Sequence, residues 1–168
     1  MSVVVHHSAG RRPVDDAAAF ETVRAIQRHH QDGKGWTDVA YNYLATPSGR
    51  LLEGRGAEFQ NGANTSQGRL SNRNTVSICL LGNFETGDVL TSAEKATIRS
   101  VCAHFGVPAV PHGALSATAC PGADVRDWLA AGMPVGGAFS SAAGPAGVAA
   151  AFDEARAAFV RLGKELGL

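Results

Sequence analysis

The apolar run from Thr75 to Leu81 constrains the fold more than any other segment of the chain. Its residues, Thr-Val-Ser-Ile-Cys-Leu-Leu, include several β-branched side chains and no charge. Such a run is typical of a strand at the centre of a sheet. A second β-branched stretch, from Ser2 to Val5, predicts a short buried strand that delivers His6 to a strand end.

Helix and strand signals alternate along the rest of the first 132 residues. Acidic residues after Pro13 predict a helix that runs to about His30. A capping box from Thr91 to Glu94 predicts a second helix that ends near His104. Residues 56–74 have few apolar anchors and predict a long surface loop of the kind that often carries function. The other expected elements are a hairpin with strands in 39–46 and 50–53, a strand over 107–110 and a helix over 124–130.

Composition excludes several classes of protein. The chain has 168 residues, which suits one domain with a short appendage. Its 15 Lys and Arg balance its 15 Asp and Glu, which argues against a nucleic-acid binder that neutralises phosphates. No apolar run approaches the roughly 20 residues of a membrane span. The N-terminus lacks the basic region and long apolar stretch of a signal peptide, so we expect folding in the cytoplasm.

The C-terminal part differs from the rest of the chain. We assign residues 1–132 to one domain, 133–147 to a Gly/Ala/Ser/Pro-rich linker and 148–168 to an amphipathic helix. The helix could pack on the domain, self-associate or contact a partner such as the cell envelope. Its apolar stripe comprises Val148, Phe152, Ala155, Phe159, Leu162 and Leu166.

Histidine and cysteine residues are the first candidates for chemistry. His6 ends the first predicted strand, and His112 lies eight residues before Cys120. Two histidines and one cysteine can hold Zn²⁺ and leave its fourth position for water, as catalytic zinc sites do. Spacing alone leaves open that each histidine is structural and that Cys120 is a small buried hydrophobe. The other cysteines, Cys79 and Cys102, fit inert core thiols, and the odd number argues against a disulfide framework.

A series of short motifs resembles a known family. In chain order they are Val5–Ala9, Gly35–Tyr43, Gly49–Gly56, Val76–Phe84, and His112 with Thr118–Gly122. Over about residues 3–130 this series is similar to the type 2 N-acetylmuramoyl-L-alanine amidases, which include phage amidase lysozymes and peptidoglycan recognition proteins. The resemblance implies an α/β fold in which a central mixed β-sheet is flanked by α-helices and a groove contains zinc. The order of predicted elements is compatible with that fold but does not define it alone.

The resemblance also assigns site residues. It implies that His6, His112 and Cys120 bind Zn²⁺ and that Tyr41 lies near the metal. Thr118 occupies a position where phage lysozymes of this type often have lysine, so it could donate or accept a hydrogen bond but could not supply a charge. Either Tyr41 or the metal-activated water itself is left as the general base.

Further residues are expected around this site. His7 should point away from the metal if His6 faces it, because neighbouring residues on a strand face opposite sides. Trp36, Arg55 and Asn83 are candidate groove residues. Trp36 could equally be a packing anchor, and Arg55 and Asn83 could equally form hydrogen bonds within loops.

The implied reaction is zinc-dependent hydrolysis of the amide between N-acetylmuramic acid and L-alanine in peptidoglycan. We expect a phage or prophage endolysin that stays in the host cytoplasm until a separate protein permeabilises the membrane. The alternatives are a cytoplasmic amidase that recycles wall fragments and a non-catalytic peptidoglycan-binding module. Peptidoglycan is the expected partner in each case, and neither nucleic acid nor a membrane span is expected.

Overall fold

The computed structural model describes residues 1–64 and 70–134. It contains a five-stranded sheet with helices on both faces. The predicted C-terminal helix and most of the predicted linker lie outside the described residues. The strands are β1 (Ser2–His7), β2 (Tyr43–Ala45), β3 (Leu51–Glu53), β4 (Thr75–Leu80) and β5 (Ala109–Pro111), and the helices are α1 (Asp16–Arg28), α2 (Ser92–Phe105) and α3 (Ala123–Ala130).

The sheet is mixed, with the strand order β3-β2-β4-β1-β5. Strand β1 runs parallel to both β4 and β5, and β2 runs parallel to β4. Strand β3 pairs antiparallel with β2, as the predicted hairpin requires. The run that starts at Thr75 forms the middle strand and every residue of β4 is buried. The expectation of a central mixed sheet flanked by helices is confirmed.

The two faces of the sheet bury different clusters. Val3 and Val5 of β1 pack with residues of α2 and α3, including Val101 and Trp128. On the other face, Leu44 and Cys79 pack with α1. Because side chains alternate along a strand, His6 lies on the α1 face and His7 on the opposite one.

Helix ends follow the predicted signals. The side chain of Asp15 accepts a hydrogen bond from the Ala18 backbone N–H at the start of α1. At the start of α2 the Thr91 and Glu94 side chains form both bonds of the capping box. Helix α1 ends at Arg28 rather than His30, and a π-helical turn over His29–Gly33 continues it. Among the described residues no helix is long and apolar enough to cross a membrane.

The predicted strand over 39–46 is shorter than expected, because it begins only at Tyr43. The backbone before it is already bonded to partners outside the sheet. The Arg55 side chain donates to the Val39 carbonyl, and the Ala40 N–H donates to Nδ1 of His30. These contacts hold residues 38–42 as an irregular segment beside the end of β1.

Candidate metal centre

Three side chains of types that can bind a metal converge at one edge of the sheet. His6 lies near the carboxyl end of β1, and His112 directly follows the neighbouring parallel strand β5. Cys120 lies in the loop before α3. The candidate ligand atoms of these three residues all lie within 4.8 Å of one another. The Cys120 Sγ is 3.8 Å from Nδ1 of His6, and the two imidazole centroids are 4.4 Å apart.

The loops around this edge fix the His112 and Cys120 segments relative to each other. The Gly113 N–H donates to the Cys120 carbonyl at 2.9 Å. Gly122 has a φ of 102°, and a Cβ there would overlap the Phe84 backbone, so only glycine fits. A short helix, α3, then begins at Ala123 and buries Val125 and Trp128 in the core on the α2 side of the sheet.

Burial keeps the two histidines of the cluster neutral. His6 is 2% exposed. Desolvation, with a smaller contribution from His112, lowers the pKa of His6 from 6.5 to about 3. Burial also lowers the pKa of His112. A neutral imidazole has a lone pair available for a metal ion at neutral pH.

The Cys120 thiol is protonated in the absence of a metal. Burial raises its pKa to about 11, although the His7 N–H and the charge of Arg126 oppose the shift. Zinc binding would therefore have to release this proton, as metal binding to thiols generally does.

The donor set fits Zn²⁺. Bonds of about 2.0 Å to nitrogen and 2.3 Å to sulfur place the donors of a tetrahedral site about 3.5 Å apart. The Cys120 Sγ and Nδ1 of His6 are 3.8 Å apart, and the donors of His6, His112 and Cys120 all lie within 4.8 Å of one another. Small side-chain movements would complete the triangle, and three protein ligands leave one position open for water or substrate.

His7 points away from this cluster. Its Nδ1 accepts a hydrogen bond from the Phe84 N–H at 3.3 Å, and Phe84 belongs to the core on the α2 side. The backbone N–H of His7 instead donates to the Cys120 Sγ at 3.5 Å. His6 is therefore the histidine of this pair whose ring joins the cluster.

Tyr41 lies beside the cluster, with its ring centroid 5.3 Å from that of His6. The neighbouring Cys79 and burial raise the pKa of Tyr41. Its hydroxyl is therefore a hydrogen-bond donor at neutral pH. Cys79 is fully buried directly opposite His6 in the β1–β4 register, which brings this core thiol closer to the site than the sequence indicated.

Thr118 lies on the exposed side of the Cys120 loop. Its Oγ1 accepts a hydrogen bond from the Cys120 N–H at 3.2 Å. The hydroxyl thus orders the turn that carries the cysteine, and its hydrogen remains available to donate.

A row of rings leads from the surface to the cluster. Trp36, 37% exposed, lies 5.0 Å from the buried His30, whose ring is 6.2 Å from that of Tyr41. The Lys34 ammonium lies over Trp36 at 5.0 Å. Trp36 is thus a partly packed aromatic at the outer end of a row that ends at His6.

The structure shows which neighbours the other two groove candidates contact. Arg55 donates to the carbonyls of Val39, Asp38 and Gln60, so it ties two loop segments together. Asn83 lines an open hollow of about 410 Å³ that also contains Arg11, Arg12 and Asp88. None of the three cluster residues is in the lining of that hollow.

The sequence did not point to two residues that contact the cluster. Asn64 is hydrogen-bonded to Nε2 of His6 at 3.0 Å, and Ser116 to Nε2 of His112 at 3.1 Å. Asn64 lies in the loop that was expected to be functional, but no motif distinguishes it from its polar neighbours. Both contacts leave Nδ1 as the nitrogen that faces the potential metal.

Comparisons with known proteins identify the family of this chain. The family model described as N-acetylmuramoyl-L-alanine amidase matches residues 1–123. The chain therefore belongs to this family, and the resemblance to type 2 amidases and peptidoglycan recognition proteins is confirmed.

Two curated relatives illustrate the range of the family. Peptidoglycan-recognition protein SC2 of Drosophila simulans is 30% identical over 137 residues, which cover 74% of this chain and 72% of that protein. An N-acetylmuramoyl-L-alanine amidase of Sus scrofa is 31% identical over 129 residues, which cover 70% of this chain but 21% of that protein.

Solved structures share the fold. Drosophila PGRP-LB gives a TM-score of 0.70 at 21% identity, with 83% of this chain and 84% of that chain covered. Peptidoglycan recognition protein LE in complex with tracheal cytotoxin also gives 0.70, at 22% identity, with 77% and 78% covered.

Proposed function

We propose that the protein is a zinc-dependent amidase that cleaves the bond between N-acetylmuramic acid and L-alanine in peptidoglycan. The observation that carries this proposal is the convergence of His6, His112 and Cys120 donor atoms within 4.8 Å in a chain of this family. In the overall reaction, water forms a bond to the lactyl carbonyl carbon, the C–N bond breaks, and the L-alanine amine leaves with a proton.

The ligand residues define what the metal would contribute. When bound by His6, His112 and Cys120, Zn²⁺ supplies a Lewis acid that polarises the amide carbonyl and activates water. His6 and His112 bind as neutral imidazoles because burial disfavours their protonated forms. Cys120 binds as the thiolate and lowers the net charge of the site.

Tyr41 is proposed to stabilise the transition state. Its protonated hydroxyl can donate a hydrogen bond to the oxygen on which negative charge develops. Thr118, exposed at the same loop as Cys120, could donate a second hydrogen bond there, but it carries no charge. The site therefore depends on the metal for positive charge more than a site with lysine at that position would.

A peptidoglycan-binding module without activity is the second candidate. It is favoured by the relative that is named a peptidoglycan-recognition protein. The complete set of three donors favours hydrolysis over binding alone, because binding does not require a metal with an open position.

Two cysteine variants distinguish hydrolysis of peptidoglycan from binding alone. We expect Cys120→Ser to lose both zinc and cleavage while it still sediments with insoluble peptidoglycan. Cys102→Ala, which changes a buried thiol in α2, should retain zinc and cleavage. Sedimentation without cleavage by the zinc-loaded parent protein, across several wall types, would instead support the binding module.

The cellular role stays a prediction. We propose that the protein acts as a phage or prophage endolysin from the host cytoplasm, and a wall-recycling amidase is the alternative. An endolysin should cleave intact sacculi and lyse producing cells only after the membrane is permeabilised. A recycling enzyme should cleave soluble muropeptides and leave sacculi intact.

A further inference from the structure

A buried asparagine contacts the ligand histidine on the side away from the metal cluster. Asn64 is 1% exposed, and its Oδ1 lies 3.0 Å from Nε2 of His6. We infer that Asn64 is a positioning residue that fixes the proton of His6 on Nε2 and so presents the Nδ1 lone pair to the metal. This inference rests on the proposed function.

The direction of the hydrogen bond between Asn64 and His6 can be derived from a neighbouring side chain. Asn64 is hydrogen-bonded to Asn61, which in turn contacts two backbone carbonyls. Asn61 Nδ2 donates to the carbonyls of Asn72 and Thr75, at 3.2 and 3.0 Å. Carbonyl oxygens accept but never donate, so this end of the Asn61 amide must be its nitrogen. Its Oδ1 therefore faces the other way and accepts from Asn64 Nδ2 at 3.3 Å.

The Thr75 hydroxyl fixes the Asn64 amide in the same sense. Its Nδ2 lies 2.8 Å from Oγ1 of Thr75 and 3.1 Å from Oγ of Ser77. The Thr75 hydroxyl already donates to the Ser71 carbonyl at 2.6 Å, so it accepts from Asn64. With its nitrogen engaged by acceptors, Asn64 presents Oδ1 to His6, and Nε2 of His6 must be the donor.

The position of this proton determines which nitrogen of His6 is available to a metal. With the proton on Nε2, the unprotonated nitrogen of His6 is Nδ1, which is the atom 3.8 Å from the Cys120 Sγ. A histidine ligand whose other nitrogen donates to a fixed acceptor is both oriented and made a better donor. The Asn64 contact thus prepares His6 for a metal before any metal binds.

The corresponding contact at His112 lacks this directionality. Ser116 is only partly buried, and a hydroxyl can donate or accept with equal ease. Of these two contacts, Asn64 is therefore the one that determines a tautomer.

Asn64 also holds its own loop, so a test must separate the two effects. Its backbone N–H donates to Oδ1 of Asn72 at 2.7 Å. Asn72→Ala removes this loop contact but leaves the carbonyl that orients Asn61. It is therefore the matched control for Asn64→Leu, which removes the acceptor from His6, while Asn64→Asp keeps an acceptor oxygen there.

The experiment measures zinc affinity by competition with a chromophoric chelator, together with thermal unfolding of the zinc-free proteins. We expect Asn64→Leu to weaken zinc binding by about 10- to 100-fold. We expect Asn64→Asp and Asn72→Ala to stay within about threefold of the parent protein, even if each lowers the melting temperature. Unchanged affinity in Asn64→Leu, or an equal loss in Asn72→Ala, would overturn the inference.

A second measurement needs neither zinc nor activity. Imidazole ¹⁵N spectra of the zinc-free parent protein should show His6 protonated on Nε2, and Asn64→Leu should show both tautomers. A parent protein with the proton on Nδ1 would overturn the inference even if Asn64→Leu did not fold. A parent protein that binds no zinc would instead overturn the proposed function and the metal role of Asn64, whereas the spectra test the hydrogen bond separately.

Discussion

The Sγ of Cys120 lies 3.8 Å from Nδ1 of His6, although the two residues are 114 positions apart in the sequence. The parallel pairing of β1 with β5 creates this proximity, because it brings the carboxyl end of β1 beside the loop that follows β5. The sheet topology therefore creates the site. Substitutions of the individual residues in and around it have distinct expected effects.

The histidine pair at the end of β1 gives the sharpest test of the register. We expect His6→Ala to empty the zinc site and abolish cleavage, because the His6 ring joins the cluster. His7→Ala, the matched control, should retain stoichiometric zinc because its ring contacts the Phe84 backbone instead. Metal analysis of both purified variants decides this, and the reverse result would contradict the assigned faces.

Tyr41 should affect the rate rather than metal binding. Removal of its hydroxyl in Tyr41→Phe takes away one hydrogen bond to the developing oxyanion while the ring beside His6 remains. We expect kcat to fall by at least about 10-fold with zinc content unchanged. Steady-state kinetics on a soluble muropeptide measure this, and an unchanged kcat would count against the role of Tyr41.

Arg55 should contribute to stability more than to substrate affinity. Arg55→Ala removes three hydrogen bonds to backbone carbonyls, so we expect the free energy of unfolding to fall by about 2 kcal/mol. The exposed Arg28 is a matched control, and its replacement by alanine should change stability by less than about 0.5 kcal/mol. Denaturant unfolding tests both variants. A KM that rises while stability is unchanged would show that Arg55 binds substrate.

The lowered pKa of His30 predicts that the folded protein loses stability in acid. Burial, helped by Lys34, lowers the pKa of His30 from 6.5, and its Nδ1 accepts the Ala40 N–H. Below about pH 6.5 the unfolded chain therefore takes up a proton that the folded protein does not, so stability falls as the pH falls. One such group contributes a slope of up to about 1.4 kcal/mol per pH unit.

The matched variant is His30→Gln, whose side-chain oxygen can still accept the Ala40 N–H. Unfolding of the zinc-free proteins between pH 5 and 7 should show a shallower decline for this variant than for the parent. Parallel declines would mean that His30 protonates equally in the folded and unfolded states.

The sequence predicted those parts of the fold whose signals are local. The apolar run of β4, the β-branched run of β1 and the capping box at Thr91 are each contained in fewer than about ten residues, and each formed the expected element. The predicted start of β2 was wrong, because side chains of His30 and Arg55 bind the backbone that would have extended the strand. Such contacts between distant residues leave no periodic pattern.

In the candidate site too, residues in recognisable motifs were predicted, whereas contacts between distant residues were not. His6, His112 and Cys120 were expected together because ordered motifs implied a family, and the structure places them together. The contact from Asn64 to His6 could not be expected, because it depends on how a polar loop folds over β4. Asn83 lines a hollow with Arg12, and its place in a substrate groove stays a prediction.

The central claim is that this chain is a zinc amidase, and one assay on one sample tests it most directly. Bound zinc and new L-alanine amino termini would be counted together after the purified protein is incubated with peptidoglycan, before and after chelation. We predict about one zinc per chain, new L-alanine termini that appear only with the metal, and activity restored by added Zn²⁺. Full cleavage with the metal confirmed absent, or stoichiometric zinc with no new termini on any wall type, would contradict the account.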